Sequence, residues 1–354
     1  MNKVTRIVII SLCAALALSS CSKKHHTPDQ DSQKTPLSFT ASSNGATVKA
    51  DSDQDWLSNY HNDFGVWGIA RHTDNTIPPY ILWSENALTK VESTEEGSHS
   101  FVPTEPAFWV VGYTYNFIAL APYNSGASGI SFSRRSASNP GSKDALSFTY
   151  DMAPKYSGQT QDYDFDLMGA AAETPVTASR TEAQALTFWH LFTKLCVKVR
   201  FNNVTTGNVT GMRLVKVKTQ AAYTVSLNTG ATLDVTHSNP AQTPTTTITF
   251  VEGDFQDVTE NSTAWEVATV HILPQDISDF ELYMDFNIDG VQTNNFKINI
   301  EAAKTAPNSP QYGDNELYNW RVVISPKGIA FDVEVNDWIY SADDPDHNFE
   351  FPIE

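Results

Sequence analysis

The feature that most constrains this chain is a period of two. Apolar residues alternate with polar ones over short stretches from Leu37 onward: Leu37, Phe39 and Ala41; Phe280, Leu282, Met284 and Phe286; Ile329, Phe331, Val333 and Val335. Successive side chains of a strand point to opposite faces, so this spacing gathers apolar groups on one face. Phe64 to Ala70 forms another such stretch, and Trp109 to Leu120 is a longer apolar run with room for two strands. Helical periodicity is nearly absent, with Thr181 to Phe192 the one segment that reads either way. Turn-forming pieces intervene at Asn75–Pro79, Asn124–Gly126 and Ser138–Gly141. Short strands punctuated by Gly, Pro and Asn predict an all-β sandwich or barrel.

A second set of strands begins near Ala185. Leu195, Val197, Val199 and Phe201 share one face, and the set closes on Trp320–Ile324 and Ile329–Val335. Pro326-Lys327-Gly328 between that last pair reads as the turn of a hairpin. Between the two sets, Glu173 to Arg180 is polar and contains a proline. Two β-sandwich domains in tandem are therefore expected, over 37–180 and 181–354, the second ending in a short tail. The 354 residues, 40% hydrophobic and 11% aromatic, suffice for two cores.

The start of the chain has another character. Lys3 and Arg6 precede an apolar and small-residue run from Ile7 to Leu18, too short to span a bilayer, which takes about 20 apolar residues. Leu18-Ser19-Ser20-Cys21 resembles the bacterial lipobox. That resemblance implies that residues 1–20 are a signal peptide and that Cys21 becomes the acylated first residue. Residues 21–36, polar and with two prolines, read as a flexible tether. The formal charge is −18, and loss of Lys3 and Arg6 with the signal makes it −20. Such a surface repels nucleic acid and anionic lipid. Cys13 leaves with the signal and Cys21 carries the lipid, so Cys196 alone remains, too few for an internal disulfide or a multi-cysteine metal site.

Catalytic signals are weak. Cys196 lies in an alternating strand, opposite Leu195 and Val197, as a packed or surface thiol would. His190 reads as a hydrogen-bonded packing histidine, and His25-His26 as part of the solvated tether. No zinc-protease, serine-hydrolase or phosphate-loop motif occurs. Asp162, Asp164 and Asp166 lack the glycine and closing glutamate of a calcium loop. No enzyme, no metal and no cofactor beyond the covalent lipid at Cys21 are expected.

Several segments together resemble the fimbrillin-like proteins of Bacteroidetes. These are Asp166-Leu167-Met168-Gly169-Ala170, then Leu186-Thr187-Phe188-Trp189-His190 continuing to Val197. Ile272-Leu273-Pro274-Gln275, Asn315 to Val322 and Val333 to Trp338 follow in the family's order. The resemblance implies type V pilins: two transthyretin-like β-sandwich domains, exported as outer-membrane lipoproteins and assembled into surface fibres. It further implies partners, namely other pilin subunits, joined by strand exchange, with host or bacterial surface ligands as further candidates. In that scheme a protease removes the first strand of the N-terminal domain and a strand of another subunit fills the gap.

Leu37, Phe39 and Ala41 would be the groove-filling side of the removable strand. Characterised members are cut after an arginine in the following loop. Lys49 stands there in this chain, before Ala50, and reads equally as a processing site or a solvated lysine. Near the end, Phe349, Phe351 and Ile353 share one side of an extended segment, either a short donor strand or a tail packed on its own domain. The alternative reading is a lipid-anchored glycan-binding surface protein, with Trp56, Trp67, Trp83 and Trp109 as stacking platforms.

Overall fold

In the computed structural model the alternating segments become strands. It describes residues 35–43, 63–93, 100–136, 139, 141–156, 165–227, 233–239, 244–259, 266–276, 281–300, 311–312 and 316–337.

One sheet closes on itself. Its strands are β2 (Phe39–Ser43), β3 (Asp63–His72), β4 (Tyr80–Ile81), β5 (Thr89–Ser93), β6 (Ser100–Pro103), β8 (Tyr113–Ala121), β11 (Met168–Val176) and β12 (Gln184–His190). They run in the order β4-β3-β5-β6-β2-β12-β11-β8, and β8 pairs back onto β3. The short β4 hangs beside β3, outside the ring. Phe39, Phe64, Phe101, Phe117 and Phe188 meet inside it, with Val66, Ala119 and Leu186. Two further short strands, β1 (Thr35–Pro36) and β7 (Phe108–Trp109), pair beside the ring.

β3 and β8 read as unbroken apolar runs because both of their faces are covered. Phe64, Val66, Tyr115 and Phe117 face the ring interior, whereas Trp67, Ile69, Ile118 and Leu120 face a second sheet. Close packing explains Gly68 in this stretch: a Cβ there would lie 2.6 Å from Leu82 Cδ1. The apolar run from Trp109 to Leu120 does divide in two, at Gly112, whose φ of +90 suits glycine.

The second sheet joins residues distant in sequence. Its order is β16 (Leu233–Ser238), β15 (Gln220–Leu227), β10 (Ala145–Asp151) and β9 (Ser128–Ser133). A four-residue helix, α1 (Ala153–Tyr156), follows β10. The remaining strands build a sandwich. One layer is β18 (Glu266–Ile272), β13 (Thr193–Phe201), β23 (Glu316–Ser325) and β24 (Gly328–Asp337). The other is β17 (Thr245–Thr259), β14 (Thr206–Lys218), β20 (Glu281–Ile288) and β21 (Val291–Lys297). Leu195, Val197 and Val199 meet Met212, Leu214 and the fully buried Trp320 between them. A last short pair is β19 (Gln275–Asp276) with β22 (Gln311–Tyr312). The expected hairpin is present, with Ser325 opposite Gly328.

The sheets do not divide at residue 180. β12, beyond that point, pairs with β2 and β11 in the ring. β15 pairs with β10 along its length, and the two come from opposite sides of the expected boundary. The ambiguous segment Thr181–Phe192 resolves as β12 because Leu186 and Phe188 fill the ring while Ala185 and Thr187 face outward.

Candidate functional site

The ring is completed by a strand of five residues. β2 lies between β6, to which it is antiparallel, and β12, to which it is parallel. Phe39 stands opposite Phe101 on one side and Gln184 on the other. Two backbone bonds extend the attachment, from Leu37 N to Ala107 O at 2.8 Å and from Gln184 N to Ser38 O at 2.7 Å.

The side chains divide by parity, as the alternation predicts. Leu37, Phe39 and Ala41 are buried at 2%, 0% and 8% exposure, whereas Ser42 is exposed. Phe39 touches Phe64 at a centroid distance of 6.0 Å and Phe117 at 5.2 Å, both edge to face. Phe64 in turn meets Phe101 and Phe188, one from each strand flanking β2. Edge-to-face contact suits the ring quadrupole and adds about 0.5–1.5 kcal/mol per pair to burial. The site is thus a strand-wide slot with an aromatic floor. Sequence reasoning finds the inward side of β2 but not its neighbours β6 and β12, since alternation gives a face and no partner.

Buried polar groups brace this region. Asp144, just ahead of β10, accepts two bonds from the Arg71 guanidinium at 2.7 and 2.6 Å and one from Asn116 Nδ2 at 2.7 Å. It thereby ties β3 and β8 to the second sheet. At the end of the ring near β1, Tyr115 Oη donates to Phe108 O and accepts from Val110 N. Burial pushes the Tyr115 phenol well above its usual range, so it stays a neutral donor.

The other candidate residues fall as follows. Cys21, Lys49, Ala50, Trp56, Asp162, Asp164, Phe349, Phe351 and Ile353 lie outside the described residues. Trp67 stacks on Phe132 at 5.1 Å in the core, and Trp109 is buried against Tyr115, Phe117 and the Arg180 guanidinium. Trp83 is half-buried, with its Nε1 donating to Glu105 O at 2.7 Å. The indole faces of Trp67 and Trp109 are therefore occupied by the protein itself. His190 Nδ1 lies 2.6 Å from Asp166 Oδ2, a packing role rather than a ligand set. Cys196 is buried in β13. Among the described residues, no three His, Cys, Asp or Glu side chains gather as a metal site would need.

Among the described residues the buried polar groups Asp144 and Tyr115 brace strands of an all-β architecture. The class of protein comes from comparison with known proteins. The fimbrillin-like family profile matches residues 37–338, and the chain belongs to that family. It is a fimbrial or adhesion subunit rather than an enzyme. Among solved structures it is similar to a fimbrial protein from Bacteroides vulgatus, at 14% identity and a TM-score of 0.55 over 86% of this chain and 99% of that one. A candidate cell adhesion protein from Bacteroides uniformis is similar at 18% identity and a TM-score of 0.51, over 86% and 99% of the two chains. No curated protein matches.

Proposed function

We propose that this protein is a fimbrial subunit whose first strand, β1–β2 with Leu37, Phe39 and Ala41, is exchanged for a strand of another subunit. The observation that carries this reading is the place of β2. It is short, lies between two partners, and directs its whole apolar side into the ring. Its departure would expose the backbone edges of β6 and β12 along with the aromatic faces of Phe64 and Phe117. An incoming strand with apolar residues at alternate positions would satisfy both at once. Lys49 follows β2 in sequence and is the proposed cut, with Ala50 as the new first residue. Export as a lipoprotein acylated at Cys21 would bring the chain to the outer membrane before the cut frees it.

Mass spectrometry of the chain taken from surface fibres tests this. The expected N-terminus is Ala50 or a close neighbour. A fibre-borne chain that still starts at acylated Cys21 would overturn the cleavage.

A further inference from the structure

Two hairpins of the sandwich turn tightly, through Asp289-Gly290 between β20 and β21 and through Pro326-Lys327 between β23 and β24. The hairpin of β9 and β10 is different. Ser133 stands opposite Ala145 at its head, so eleven residues (144 − 134 + 1) form the connection. Hairpin loops ordinarily take about two to five. The first residues past β9 are Arg134, Arg135 and Ser136, all exposed and outside any strand. The two arginine side chains are 50% and 46% exposed, and their ion pairs with Glu85 and Glu173 are long, at 3.9 Å each. Such pairs restrain a surface side chain only weakly.

The other arginines of the fold are less open. Arg71, Arg200, Arg213 and Arg321 lie within strands. Arg180 sits over the Trp109 ring and donates to the carbonyls of Glu182 and Ala183. A protease with an acidic specificity pocket recognises a cationic side chain, and nicking concentrates in exposed loops of small and polar residues. Ser136, Asn139, Gly141 and Ser142 give this loop that composition. The amides that follow the two arginines differ in how firmly they are held. Arg135 N donates at 2.9 Å to Oδ1 of the buried Asp144, whereas Ser136 N donates at 2.7 Å to Oγ of Ser142 in the exposed turn. The bond between Arg135 and Ser136 is therefore the one that local opening frees first.

We propose that the β9–β10 loop is a processing site, at which a cation-specific endoprotease outside the cell cuts after Arg135. Water adds at the Arg135 carbonyl and the C–N bond to Ser136 breaks, leaving a carboxylate on Arg135 and an amine on Ser136. The fold outlives the cut. β8, ahead of it, pairs with β11, beyond it, from Tyr113–Val176 to Ala121–Met168, and β2 and β9 pair in the same way with β12 and β10. The product is a nicked molecule whose two pieces, β1–β9 and β10–β24, remain joined through their strands. This site is separate from Lys49 and does not depend on the exchange of β2.

The test exposes the purified full chain to an arginine-specific endoprotease under native conditions. One cut beyond residue 20 is expected, with Ser136 as the new N-terminus, two bands on a denaturing gel and a single species in size exclusion. Arg135→Gln should slow the loss of intact chain at least tenfold, because the site after Arg134 keeps its amide on Asp144. Ser142→Ala should speed the cut about threefold without moving the melting temperature. A first cut after Arg71, Arg180, Arg200, Arg213 or Arg321, pieces that separate in size exclusion, or equal rates in the variants would overturn the proposal. Protein taken from the cell surface should carry the Ser136 N-terminus as well. Only uncut chain across residues 134–136 there would overturn the processing role, whatever the fate of Lys49.

Discussion

At Phe39 a single side chain holds the closing strand to the floor of the ring through Phe64 and Phe117. Phe39→Ala removes both contacts and leaves a cavity in a fully buried place, so a loss of about 3–5 kcal/mol is expected in denaturant unfolding. A loss below about 1 kcal/mol, the scale of a volume-conserving swap, would show that the floor relaxes around the missing ring. Asp144 is the polar counterpart. Asp144→Asn leaves the Arg71 guanidinium without its carboxylate at a site where Asp144 is 2% exposed, and should cost about 3 kcal/mol by the same measurement. Glu281 behaves differently because it lies at the surface. Lys297 at 2.8 Å, Tyr283 Oη at 2.9 Å and Lys216 at 3.2 Å draw its pKa from 4.5 down to about 2. A carboxyl whose pKa is depressed on folding favours the folded state fully above its unfolded pKa. That contribution is lost as pH falls through about 2. The Glu281 carboxyl signal in NMR should therefore titrate near pH 2 at low salt and move upward as salt screens the lysines. A midpoint at 4.5 in low salt would contradict the geometry.

Among the elements, those that alternate most plainly were the most legible in the sequence. β2, β13, β20 and β24 sit where the period of two puts them, and the Pro326-Lys327 turn joins β23 to β24 as its residues require. The pairing of strands was not legible. Phe148 stands opposite Tyr223, 75 positions on (223 − 148), and nothing local in either segment marks the other as partner. Thr181 to Phe192 looked ambiguous because Leu191 and Phe192, both buried, extend the apolar spacing past the end of β12. The inward face of the candidate site was readable at Leu37, Phe39 and Ala41. Its walls, Phe101 and Leu186, were not, since β6 and β12 meet β2 only through long-range ring closure.

For the molecule as a whole, interleaved pairing makes the two halves interdependent. A chain ending at Arg180 lacks β12, the parallel partner of β2, and lacks β15 and β16, which complete the sheet over Trp67, Ile69, Ile118 and Leu120. Residues 37–180 alone should show no cooperative unfolding transition, as followed by near-UV circular dichroism. A sharp transition would contradict the interdependence. The most direct test of the central claim, that β2 leaves its slot during assembly, is to lock it there. Thr40 and Ser100 stand opposite one another on β2 and β6. Cysteines at an antiparallel pair of this kind lie within disulfide reach. Thr40→Cys with Ser100→Cys should fold and reach the surface yet fail to enter fibres when oxidised, and should recover on reduction. Fibres built equally well from the oxidised chain would contradict the account.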